Sequence, residues 1–92
     1  MFYYEVRAAV EEGLRGDFED YMLAKHIADV LETGCFARAR FAWTGEGYAT
    51  AYIARERRDV DRYLERYTGA MRDDFKLHFP TGVELSRTIY EE

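Results

Sequence analysis

Residues 2–10 alternate between two faces. Phe2, Tyr4, Val6, Ala8 and Val10 point one way, and Tyr3, Glu5, Arg7 and Ala9 the other. A period of two predicts a half-buried strand, which Gly13 and Gly16 bring to an end. Asp17 then offers an N-cap for a helix running to about Leu31. At about 100° per residue, Leu23, Ala24, Ile27, Val30 and Leu31 share a main apolar face, while Phe18, Tyr21 and Met22 fall on a second, partial one. Thr33-Gly34 predicts the helix end, with Gly34 suited to a left-handed C-cap.

Residues 36–43 and 48–55 predict two strands joined by Thr44-Gly45-Glu46-Gly47, a hairpin signal. With Gly45 and Glu46 at the turn, Trp43 stands opposite Tyr48, Phe41 opposite Thr50 and Ala39 opposite Tyr52. The other face then pairs Ala42 with Ala49, Arg40 with Ala51 and Arg38 with Ile53. Arg55-Glu56-Arg57-Arg58-Asp59 opens a second helix, with Glu56 or Asp59 at its N-terminus. Val60, Leu64, Tyr67, Met71, Phe75 and His78 make its apolar stripe, and Asp61, Arg62, Glu65, Arg66, Arg72, Asp73 and Lys76 a solvated face. Pro80 and Gly82 stop it. Residues 83–90 alternate once more: Val83, Leu85 and Ile89 lie inward, Glu84, Ser86, Thr88 and Tyr90 outward, and Arg87 interrupts the inward row.

These elements predict an α+β chain of order βαββαβ. Two interleaved crossovers give the ferredoxin-like fold, a four-stranded antiparallel sheet with two helices on one face, as one domain over residues 1–92. No repeat, linker or low-complexity segment interrupts it.

Composition narrows the classes. With 92 residues the chain is one domain at most, and a domain of this size buries only about 60–65% of its unfolded surface. Thirteen Lys and Arg against eighteen Asp and Glu leave a net charge of −5. That balance argues against bulk nucleic acid or an anionic membrane as partner. No run approaches the roughly 18 apolar residues of a membrane span. Cys35 is the single cysteine, so no internal disulfide forms and the expected compartment is the cytoplasm. Eight tyrosines and an aromatic content of 16% suit a subunit interface or a pocket wall.

A sheet covered on one side leaves the other bare. With helices over Phe2, Val6, Val83 and Leu85, the open face carries Tyr3, Glu5, Arg7, Glu84, Ser86, Thr88 and Tyr90. The hairpin adds either Arg38 and Arg40, able to pair with Glu5 and Glu84, or the row Phe41, Trp43, Tyr48 and Tyr52. Either version suits two sheets packed face to face in a homodimer, since monomers avoid large bare apolar patches.

The stretch from Asp17 to Phe36, with His26-Ile27-Ala28, Leu31 and Thr33-Gly34, resembles a family of short bacterial proteins of unknown function within the dimeric α/β-barrel superfamily. The stretch Tyr52 to Leu64, including Asp59, Arg62 and Tyr63, resembles the start of that family's second helix. Ala28 departs from the family pattern, which has proline there. The resemblance implies the ferredoxin-like fold, a homodimer and a cavity between the subunits. It implies no catalytic residues.

Candidate chemistry is sparse. His26 lies on the first helix's flank, where it suits a general base, an axial ligand if haem binds as in relatives of the wider superfamily that the chain resembles, or a partly buried structural histidine. His78 continues the second helix's stripe at its C-terminus. Alternation aims Arg7, Arg38, Arg40 and Arg87 so that several share one space, fit for a carboxylate or phosphate. The expected ligand set is Tyr3, Arg7, Arg38, Arg40, Tyr48 and Tyr52. Cys35 reads as a small buried residue, and the histidine and cysteine spacings give no metal site and no cofactor. The third strand lacks the Lys/Arg-Gly-aromatic pattern of RNA-recognition modules. The leading expectation is an uncharacterised homodimer that binds a small organic ligand between its two sheets. The alternative is a cofactor-independent monooxygenase or isomerase with His26 as acid/base.

Overall fold

The alternating segments form strands and the periodic ones form helices. The computed structural model describes residues 1–92. It runs β1 (Phe2–Val10), a 3₁₀ turn (Glu12–Leu14), α1 (Arg15–Tyr21), a π-helical turn (Met22–His26), α2 (Ile27–Glu32), β2 (Arg38–Trp43), β3 (Tyr48–Ala54), α3 (Arg57–Arg66), α4 (Thr68–His78) and β4 (Val83–Glu91). The four strands make one antiparallel sheet in the order β2-β3-β1-β4. The sequence-adjacent pairs β1, β2 and β3, β4 are therefore each separated by one strand, and each helical connection crosses over it. No helix is long and apolar enough to cross a membrane.

The hairpin register is the one its turn dictates. Trp43 stands opposite Tyr48, Ala39 opposite Tyr52 and Arg38 opposite Ile53. Gly45 takes φ 92°, open to glycine at little cost. Gly47 has a different reason: a Cβ there would lie 2.5 Å from the Ala8 carbonyl oxygen, so β1 and the hairpin approach too closely for any side chain.

The helices depart from the periodic reading in four ways. The first begins at Arg15 after a 3₁₀ turn, so Asp17 lies in its first turn and is not its N-cap. Its two apolar stripes become one, because the π turn inserts an extra residue and rotates everything after it. Phe18, Tyr21, Met22 and Val30 are buried together, while Leu23 and Ala24, expected on the main face, are exposed. The second helix is two: Tyr67, with φ −121° and ψ −30°, breaks it between α3 and α4. Phe79, past the helix end, is buried where His78 was expected, and His78 is exposed. Residues 36 and 37 precede β2 and are not part of it. Gly34 is left-handed at the helix end, as predicted, with φ 76°.

The helices pack on the sheet face of Tyr4, Ala8, Tyr48 and Tyr52, and the core there falls into two clusters. One joins Tyr4, Tyr52 and Ala54 to Val30, Cys35, Phe36, Val60 and Tyr63. The other joins Ala8, Val10 and Tyr48 to Phe18, Tyr21, Met22, Phe75 and Phe79. Between them, across the sheet, runs the row Phe41, Thr50, Val6, Arg87. Replacing Gly47 by Ala forces the Ala8 backbone away and should cost about 1–3 kcal/mol. Urea denaturation measures it, and an unchanged midpoint would contradict the close approach.

Candidate functional site

Where the two core clusters part, a cavity of about 400 Å³ lies between the sheet and the helices. Val6 and Thr50 form its floor, side by side on β1 and β3. Tyr4, Tyr52 and Tyr63 wall it from one cluster, and Phe18, Met22, Phe75 and Phe79 from the other. The π turn contributes Met22 and His26, and the segment after the Tyr67 break contributes Thr68, Met71 and Arg72. The volume falls in the range of small-molecule sites, which combine an apolar lining with a few placed polar groups.

Those polar groups are specific. Thr50 is the one buried polar residue of the chain, 2% exposed. The Tyr52 hydroxyl is also buried and meets no protein hydrogen-bond partner, a state that costs about 1–3 kcal/mol. Burial pushes its phenol far above the ordinary tyrosine value. Tyr4, by contrast, accepts a hydrogen bond from Arg87 Nε at 3.0 Å.

His26 sits in a relay anchored on α4. Tyr21 donates its hydroxyl proton to Asp74 Oδ2 at 2.7 Å and lies 3.3 Å from His26 Nδ1. A phenol has one proton to give, so toward His26 it accepts. The neutral imidazole therefore carries its proton on Nδ1, and Nε2 keeps a lone pair. Burial holds the His26 pKa below its ordinary value of 6.5. The Tyr21 bond holds the Asp74 carboxyl below the usual carboxylate range, and Lys25 bridges it to Asp29 at 3.2 and 2.7 Å.

The expected ligand set divides between two faces. Tyr3, Arg7, Arg38 and Arg40 share the open face, since Arg38 pairs across Ile53 with Tyr3, and Arg40 across Ala51 with Glu5. Tyr48 and Tyr52 lie under the helices and cannot join them. Tyr48 instead donates its hydroxyl to Glu19. The expected pairing of Arg38 and Arg40 with Glu5 and Glu84 does not form: Glu5 takes Arg7 at 2.8 Å and the Tyr90 hydroxyl at 3.1 Å. Tyr3 and Tyr90 stack beside it, 5.1 Å apart and nearly parallel. A second, more open hollow of about 310 Å³ lies at the hairpin end, lined by Arg7, Glu84 and Ser86 among others.

Of the expected residues, Tyr52, His26 and Arg87 line the helix-side cavity, so Arg87 does not share the space of Arg7, Arg38 and Arg40 on the opposite face. Sequence reading missed Tyr63, Thr68, Arg72 and Lys76, the last two set on a solvated face. For Arg87 the signal was visible: a charge on the inward row of a strand. Cys35 is buried, 2% exposed, as a small core residue.

Protonation of His26 favours the unfolded chain, because its folded pKa is depressed. Stability is therefore full above 6.5 and falls as pH drops through that value toward the folded pKa. Nitrogen NMR of the imidazole should show the Nδ1–H form at neutral pH and titration below 6.5. An Nε2–H form, or an ordinary titration, would contradict the relay.

Comparison with curated proteins returns no match, and neither does comparison with solved structures. One family model, described as a domain of unknown function, matches residues 1–92. With that match over its full length, the chain belongs to the DUF4286 family.

Proposed function

We propose that this chain is a binding protein for a small organic molecule, held between the sheet and the helices. One observation carries the reading: a cavity of about 400 Å³ whose aromatic lining is interrupted by Thr50, Thr68 and His26. That lining joins an apolar interior to a few placed polar groups, as small-molecule sites do. This reading sets the ligand on the helix side of the sheet, where the expectation from sequence set it between two sheets. The free, buried Cys35 supports a reducing compartment such as the cytoplasm.

The strand order β2-β3-β1-β4 supports a ferredoxin-like arrangement, and the open face supports a homodimer. Arg38 and Arg40 are exposed there without an ion pair. A two-fold axis along the strands sets β2 of each copy over the β1–β4 side of the other, where Glu5 and Tyr90 lie. The small residues Ala49 and Ala51 between them allow close approach. Arg40→Glu should then shift the protein to monomer in sedimentation velocity, and a parent that sediments as monomer at high concentration contradicts the dimer.

A second reading, a cofactor-independent monooxygenase or isomerase, is favoured by one detail. The Tyr21–Asp74 relay leaves His26 Nε2 as a free base on a residue of the cavity wall. A compound released chemically altered by the parent but intact by His26→Gln would favour it over binding alone.

The binding reading makes a paired prediction. Tyr52→Phe, which removes the buried unpaired hydroxyl, should raise the thermal midpoint of the empty protein. Val6→Phe should fill the cavity floor and abolish saturable fluorescence of the uncharged dye N-phenylnaphthylamine, with the far-ultraviolet circular dichroism unchanged. Dye binding that ignores Val6→Phe, or a Tyr52→Phe protein of lower stability, would contradict it.

A further inference from the structure

The charge of the cavity wall is at odds with the charge of the chain. Acidic residues outnumber basic ones by eighteen to thirteen, yet no Asp or Glu lines the cavity, while Arg72, Lys76 and Arg87 do. Arg72 and Lys76 are four residues apart on α4 and so share a side of that helix. Arg87 rises from the sheet beneath, beside Val6 on the helix-facing row. None of the three takes part in any ion pair of the structure. Of the ten other basic residues four do pair: Arg7 with Glu5, Lys25 with Asp29 and Asp74, Arg57 with Asp61 and Arg58 with Glu56. All three are exposed, so they keep their charge in water at the rim while the apolar interior lies behind them.

We propose that the ligand is an organic anion, with a carboxylate or phosphate head held by Arg72, Lys76 and Arg87 and an apolar body lodged among the aromatic side chains. The proposal rests on the binding reading above and adds the ligand's charge and shape. The head gains charge-assisted hydrogen bonds from guanidinium groups that have no carboxylate to give up first. Desolvating the body against Phe18, Phe75 and Phe79 supplies the rest of the affinity.

Four decyl compounds test this on the parent protein by titration calorimetry: decanoate, decyl phosphate, decanol and decylamine. Decanoate or decyl phosphate should bind about ten-fold tighter than decanol, the ratio that one charge-assisted hydrogen bond supplies, and decylamine should bind weakest. Which anion leads identifies the head. Arg72→Gln with Lys76→Gln, both at exposed positions, should remove most of the anion's advantage over decanol, Arg87 keeping the remainder, and leave decanol unchanged. Equal binding of decanol and both anions overturns the anion assignment while leaving the cavity reading intact. No binding of any of the four overturns both.

Discussion

Thr50, Val6 and Arg87 stand side by side across the middle of the helix-facing sheet surface. A threonine, a valine and an arginine that turns to the rim cannot fill the height between sheet and helix that Tyr4, Tyr52, Phe18 and Phe75 fill on either side. Close packing is the default of a protein interior, and a gap costs stability in proportion to its volume. Here the core divides into two clusters with a cavity between them. The helices interrupt themselves beside the same space: the π turn supplies Met22 and His26, and the segment after the Tyr67 break supplies Thr68 and Met71. Single π turns inside α-helices are frequent at functional sites.

The chemistry of the wall is consistent with that space being used. An isolated void would be lined by apolar groups. This one carries a buried threonine and a histidine whose proton is placed by a neighbouring phenol. Its rim carries three cations in an acidic chain. The open face of the sheet has a different character: its aromatic pair is stacked and tied to Glu5, and its arginines point to solvent. The two faces thus divide the expected site residues between the helix-side cavity and the open sheet surface.

Much of the fold was legible in the chain. Period-two alternation located β1 to the residue, and the Gly45-Glu46 turn set the register of β2 and β3. The helices were harder, because a stripe drawn at a constant angle assumes an uninterrupted α-helix. One extra residue in the π turn exchanged Leu23 for Met22 and His26 as inward positions, and Tyr67 broke the second stripe where its periodicity gave no warning. For the same reason the cavity was invisible: it arises where two interruptions meet over short side chains. Arg72 and Lys76 read as solvated because they are solvated; only the fold brings them to the rim of an apolar space. Arg87 alone announced itself, as a charge on an inward row.

The most direct measurement is methyl NMR of the protein titrated with decanoate. Occupation of the cavity shifts Val6, Met22, Met71, Val83 and Leu85, which line it, and leaves Ala49, Ala51 and Ile53 of the open face unmoved. Shifts confined to Ala49, Ala51 and Ile53 would place the ligand on the other side of the sheet and contradict the helix-side site.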